Sequence, residues 1–453
     1  MIIKSTKLLL VTLPLVVVGL MASPFLAKAE EQEQWLQAIE SDYSTLLGME
    51  TPVRKTEIES AAESLEHGKN WDYVPGLKTL RSLRTKAAVP LLIKVLWDRS
   101  DSFAMAYDVN NTLTILVGKP LPNKWGLRPE ETRQLAKDLA KWWTDNKTSI
   151  ILDEREMNTD QLVVIVRTLL NENRQNRRFG RLGDSDNAEA INSQISYLRA
   201  DGFPTGRTVF YPEDLSPPMV PILLEFADKP EYRLATVPLL AALWKNGDRS
   251  LEKLAAGSSS PWVNLVYLLS KWAAGEGLPP NPLISMIAPQ NPLSLKLTAI
   301  VALGQATDDR TIAPVLIKCL ADPNEQVRTA ACFALRSHQT AAAIPQLAHI
   351  VQTSNYYLEL LLAIRLLSDI GGVQAGDALV SFLKRADSNQ SLRGFDDATQ
   401  GIEKITGHKW LEGRHRDEDA RKIADDVVKW WGVHRGLYAK EASSAKTNHR
   451  QTK

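Results

Sequence analysis

Two cysteines in 453 residues are too few for a disulfide framework or for a paired Cys-x-x-Cys metal or haem site. The seven histidines include no His-Glu-x-x-His pair. His338 and His349 lie eleven residues apart, which does not place two ligands on one helix face. There is no Gly-x-Ser-x-Gly elbow and no Walker-type phosphate loop, and Gly180-Arg181-Leu182-Gly183 is too short to be one. No catalytic residue, no cofactor and no metal site are therefore expected. Net charge is also lacking: 54 basic against 53 acidic residues leave a formal +1. A general nucleic-acid binder would carry a clustered basic excess, so no nucleic-acid partner is expected. Beyond the first thirty residues, no stretch is apolar and long enough to cross a bilayer.

Those first thirty residues read as a secretory leader. Lys4 and Lys7 form its basic end, Leu8 to Met21 its apolar core, and Ala27-Lys28-Ala29 a small-x-small cleavage site before Glu30. The expected location is exported, either periplasmic or secreted. The competing reading is a membrane anchor made by an uncleaved leader, because the apolar run can be extended to Leu26.

The rest is organised by an interval. Leu303, Leu335 and Leu367 end three apolar helix segments and fall 32 residues apart each time. A fixed interval of this size marks a solenoid whose unit is one helix hairpin. In the middle unit, Asp322-Pro323-Asn324-Glu325 reads as a helix start, with Asp322 as cap, Pro323 at the first helical position and Glu325 completing a capping box. Val327, Ala330, Ala331, Ala334 and Leu335 then trace one helical face, and Ile344, Leu347, Ile350 and Val351 trace the face of a second helix. Pro90 to Leu96 and Pro314 to Leu320 agree at five of seven positions.

The pattern Asp-Pro-x-x-x-Val-Arg-x-x-Ala-x-x-Ala-Leu, followed by x-Ile-Pro-x-Leu, resembles HEAT-type repeats of the short variety also found in phycobilin lyases. The resemblance covers roughly 281–383 and extends more loosely to 71–118. It implies an all-α fold, an α-α superhelix of HEAT-like hairpins in one or two blocks, that binds other macromolecules and brings no catalytic residues with it. Export argues against lyase chemistry, which belongs inside the cell.

A second feature occurs twice. Val117-Gly118-Lys119 leads through a polar loop to Pro129-Glu130-Glu131 and a helix ending in Trp142-Trp143. Thr406-Gly407-His408 leads to Asp417-Glu418-Asp419 and a helix carrying Trp430-Trp431. This is similar to the Trp-Trp ending found after HEAT arrays in exported bacterial proteins. Adjacent helix residues point about 100° apart, so one Trp of each pair is expected to plug the core while its neighbour covers the rim. Trp430 is expected to matter for stability if its ring is buried. The alternative is a stacking platform for sugars or peptides.

The domain reading is a leader over 1–29, a helical block with HEAT-like repeats over 30–147, an irregular insert over 148–216, a second HEAT-like block over 217–435 and a disordered tail over 436–453. Candidate binding residues are the insert's Arg174, Arg177, Arg178 and Arg181, suited to an anionic partner, and Arg328, Arg336 and Arg365 on the helix ridge. The simpler reading of the insert's arginines is a solvated loop. Cys319 and Cys332 sit at apolar positions of adjacent helices, either as small buried hydrophobes or as a disulfide. The functional expectation is a non-catalytic scaffold, with a protein partner of unknown identity in the cell envelope or extracellular space. A glycan- or peptidoglycan-binding module and an enzyme with its site on the 148–216 insert are the alternatives.

Overall fold

The computed structural model describes residues 34–68, 71–121, 126–175, 186–198, 214–385, 392–411 and 420–448, and every regular element among them is helical. The fold is all-α. The chain divides into two units, one formed by 1–169 with 209–218 and the other by 170–208 with 219–453. Residues 148–216, read above as an irregular insert, contribute helices and are shared between the two units.

In the first unit α1 (34–48) is followed by α2 (Pro52–His67), α3 (Val74–Leu83), α4 (Ala88–Asp98), α5 (Phe103–Val117) and α6 (Pro129–Asn146). α7 (Thr159–Gln175) begins in this unit. Helix starts follow local chemistry: Thr51 accepts a hydrogen bond from the Arg54 amide and Pro52 opens α2. Gly118 closes α5 with φ 61°, the left-handed region that an L side chain disfavours. A Cβ there would also lie 2.8 Å from Gln161 Cβ, so the turn needs glycine twice over.

α5 buries Asp108, Asn110, Asn111, Thr112 and Thr114 along with its apolar residues. Burial of so many polar groups is tolerated only with partners. The Tyr73 hydroxyl donates to Asp108 Oδ2 at 2.7 Å, and Arg81 Nε donates to Thr112 Oγ1 at 3.1 Å. Arg81 Nη1 lies 3.2 Å from Asp214 Oδ2, and both side chains are fully enclosed. Burial, and then the Asp108 charge, push the Tyr73 hydroxyl far above the ordinary tyrosine range. Asp214 thus closes a charge pair with a residue 133 positions earlier.

The second unit carries α8 (Ala188–Leu198), α9 (Val220–Ala227), α10 (Arg233–Lys245), α11 (Ser250–Ala256), α12 (Pro261–Ala273), α13 (Pro280–Met286) and α14 (Leu293–Leu303). It continues with α15 (Asp309–Cys319), α16 (Glu325–Leu335), α17 (Ile344–Thr353), α18 (Tyr357–Ile370), α19 (Gly372–Arg385), α20 (Leu392–Thr406) and α21 (Ala420–Asn448). α10, α12, α14, α16, α18 and α20 each pack on the next, and α17, α19 and α21 do the same behind them. Each hairpin partner also meets its own neighbour, as α15 meets α16 and α17 meets α18. This is the two-row stacking of an α-solenoid.

The expected faces are the buried ones: Leu303, Leu335 and Leu367 are enclosed, as are Val327, Ala330, Ala331, Ala334, Ile344, Leu347, Ile350 and Val351. Small residues set the spacing, since a Cβ on Gly304 would lie 2.7 Å from the Ala334 Cα. His338 Nε2 lies 3.0 Å from the Leu303 carbonyl oxygen. A carbonyl can only accept, so this nitrogen carries the proton.

Several expectations are corrected here. α16 starts two residues later than read from the sequence. Asn324, extended at φ −82° and ψ 120°, caps it by accepting from the Gln326 and Val327 amides, while Asp322 Oδ1 accepts from the Asn324 amide in a turn. Pro323 therefore precedes the helix. α21 runs past Gly436, where the tail was expected to begin, to Asn448. Cys319 and Cys332, read either as small buried hydrophobes or as a disulfide, are both free and buried, as the first of those readings has them. Burial pushes the Cys319 thiol up to about 11 and that of Cys332 higher still.

The two Trp-Trp pairs use the same tie, each within its own unit. Trp143 Nε1 donates to Asp42 Oδ2 at 2.9 Å, and Lys147, four residues on, holds Asp42 Oδ1 at 2.8 Å. Trp431 Nε1 donates to Asp377 Oδ1 at 3.0 Å, and Arg435, again four on, grips both Asp377 oxygens at 2.6 Å. Burial alone would raise Asp377, but the hydrogen bonds from Arg435 and Trp431 hold its carboxyl below the usual aspartate range. In both pairs the second Trp is buried and the first half-buried. A Cβ on Gly376 would sit 2.4 Å from the Trp431 ring, so glycine makes room for the plug. The buried ring is Trp431 rather than Trp430, because it is Trp431 that turns towards α19. The acidic run Asp417-Glu418-Asp419 lies outside the described residues.

Trp431→Ala is expected to lower stability by about 3–5 kcal/mol, and Trp430→Ala by clearly less, in urea denaturation followed by circular dichroism. Equal losses would contradict the asymmetry of the pair. Asp214→Ala leaves Arg81 as a buried, uncompensated cation and is expected to cost about 3–5 kcal/mol. The double change Arg81→Met with Asp214→Leu should recover most of that loss; no recovery would place the effect outside the charge pair.

Candidate functional site

The site is built on three consecutive helices of the second unit. The turn Asp322-Pro323 delivers the chain to α16, and Arg328 follows one turn after the Asn324 cap. Its Nη1 donates back to the carbonyl oxygens of Asp322 and Pro323 at 2.9 and 3.0 Å. The rest of the guanidinium faces the next repeat, where Nε and Nη2 meet Glu359 Oε1 and Oε2 at 2.5 and 3.0 Å. Glu359 lies in the first turn of α18, where the positive end of the helix favours a carboxylate. Its side chain is fully buried. Ser354 Oγ donates to Glu359 Oε2 at 2.6 Å and accepts from the Tyr356 amide at 3.1 Å. The fork with Glu359 raises the Arg328 guanidinium above its ordinary value.

Above this floor opens a groove of 580 Å³. It is lined by Asp322 and Glu325 around the start of α16, by Gln346, His349 and Thr353 of α17, and by Asn355 and Tyr356 of the turn before α18. Leu320 and Ile350 supply apolar surface. The floor groups are engaged with one another, so the bottom of the groove is rigid. Among the described residues, by contrast, no intramolecular hydrogen bond or ion pair engages the side chains of Glu325, Gln346, His349 or Asn355. The arrangement can recognise a ligand through fixed geometry below and unspent donors and acceptors around it. Among the described residues no group of three or more His, Cys, Asp or Glu is placed to hold a metal ion. No described helix is long and apolar enough to cross a membrane.

The structure separates the three ridge arginines. Arg328 forms the groove floor. Arg336 is exposed at the opposite end of α16, about 12 Å along the axis. Arg365, midway along α18, is exposed and paired through Nε with Asp397 Oδ1 of α20 at 3.2 Å. Arg177, Arg178 and Arg181 lie outside the described residues, and of Arg174, within α7, only the backbone is described. Trp142 and Trp430 are not bare platforms. Lys119 Nζ sits 4.8 Å from the Trp142 ring centre. His434 and His408 stack on Trp430 at 4.3 and 5.1 Å with interplanar angles of 16° and 22°.

Reading the sequence missed Glu359, Ser354, Gln346, Asn355 and Tyr356. One signal was present: opposite charges separated by one repeat. Arg328 meets Glu359 31 residues on, and Arg365 meets Asp397 32 residues on. Such pairs mark the side chains that tie one hairpin to the next.

Glu359→Ala is expected to destabilise the protein by about 3–5 kcal/mol, because it strands Arg328 against a buried surface. Arg336→Ala, exposed and without a described partner, should change stability by less than about 0.5 kcal/mol. Thermal denaturation of the two variants side by side checks the contrast; similar midpoints would remove Arg328–Glu359 as a repeat tie.

Comparison with known protein families places this geometry. Residues 280–367, from the first residue of α13 almost to the end of α18, match the family model for HEAT repeats. The groove lies wholly inside that segment. No curated protein matches the chain. The stacked hairpins, their 32-residue interval and the family match lead to one conclusion: residues 280–367 of this chain form a HEAT-repeat domain.

Proposed function

We propose that the protein is an exported, non-catalytic scaffold that uses its HEAT-repeat domain to bind another protein of the cell envelope or extracellular space. HEAT repeats commonly mediate contacts between proteins, and the observation that carries the reading is the groove over Arg328 and Glu359. Its floor is internally satisfied, and around it stand Glu325, Gln346, His349 and Asn355, whose side chains engage no partner among the described residues. The leader-like residues 1–29, which lie outside the described residues, are the support for export. The coverage of Trp142 and Trp430 by neighbouring side chains weighs against sugar stacking as the main activity.

Two measurements on the full-length chain test this. Expressed in an exporting host, the mature protein should begin at Glu30 by intact mass and be recovered from the exported fraction. Chemical cross-linking followed by affinity purification from that fraction should return one protein in stoichiometric amount. A protein that stays inside the cell with its leader intact, or a clean preparation with no partner, would overturn the proposal.

A further inference from the structure

The charges of the groove do not cancel. Arg328 and Glu359 neutralise each other in the floor. The two remaining carboxylates of the lining, Asp322 and Glu325, have no lysine or second arginine among the lining residues to balance them. Asp322 receives a single amide hydrogen bond, at Oδ1, and Glu325 is exposed. The lining therefore carries an excess of negative charge. Leu320, Ile350 and Tyr356 belong to the same lining. This suits a lysine or arginine, whose methylene stem packs on apolar and aromatic surface while its charged head reaches carboxylates.

Two further side chains distinguish a peptide from a bare cation. Gln346 and Asn355 present a donor and an acceptor each. That is the pairing a backbone peptide group requires, and a small polyamine has no acceptor to match it. We infer that the groove of the HEAT-repeat domain takes an extended peptide segment of the partner, with one basic side chain set between Asp322 and Glu325 and its main chain held by Gln346 and Asn355. The inference rests on the scaffold reading and adds to it the chemistry of the partner.

Fluorescence anisotropy tests it on the full-length protein at low salt, with fluorescein-labelled (Gly-Ser-Lys)₃, (Gly-Ser-Glu)₃ and (Gly-Ser-Ala)₃ as probes and spermidine as competitor. The lysine peptide should bind at least tenfold more tightly than the other two. Glu325→Lys should weaken it by tenfold or more, and Glu325→Gln by severalfold, with both variants still folded and their thermal midpoints lowered only slightly by the lost carboxylate at the start of α16. Raising the salt should weaken binding as screening shortens the reach of the charges. The double variant Gln346→Ala with Asn355→Ala should weaken the peptide severalfold and leave spermidine binding unaltered.

Equal binding of the three peptides overturns the inference, as does lysine-peptide binding that ignores Glu325→Lys. Loss of peptide and spermidine in parallel in the amide double variant reduces the groove to a simple cation site and also overturns it. A partner that still co-purifies with the Glu325→Lys protein sinks the peptide inference while the scaffold reading stands. The absence of any partner from the wild-type protein sinks the scaffold reading itself.

Discussion

No helix between Pro280 and Ile370 is longer than fourteen residues, and most have eleven or fewer. Helices of that length are marginal in water on their own. Each is held because its neighbours in the stack bury it on more than one side, as the near-complete enclosure of α14 illustrates. Stability in such an array comes from interfaces between repeats, so the contacts that join one repeat to the next carry both the fold and its register.

Several polar ties share one form. A carboxylate is gripped by a cation or an indole N–H from another part of the chain: Asp42 by Trp143 and Lys147, Asp377 by Trp431 and Arg435, Glu359 by Arg328, and Asp214 by Arg81. Apolar packing alone tolerates small slips of one hairpin along another. A fork between a guanidinium and a carboxylate does not, because two parallel hydrogen bonds fix direction as well as distance. The ties therefore select one register among several that would bury similar apolar area.

The same economy shapes the candidate site. Arg328 is a tie first, and it becomes a groove floor because the turn before α16 and the turn before α18 leave space above it. The groups that face solvent there, Glu325, Gln346, His349 and Asn355, are those the stack does not use. Binding and folding are thus divided among different side chains of the same few turns, which leaves the binding set free to vary without loss of the scaffold.

What the chain could disclose by itself was whatever depends on near neighbours. Apolar spacing at Val327 to Leu335 and the 32-residue recurrence of Leu303, Leu335 and Leu367 are local patterns, and each sits where those patterns placed it. Only the packed structure decided that Trp431 and not Trp430 fills the core, that Asn324 and not Asp322 caps α16, and that Arg328 and Arg365 are held by Glu359 and Asp397. Those outcomes depend on how one helix is rotated and slid against the next. That relation is set by the sum of contacts across the stack, and no window of neighbouring residues contains it.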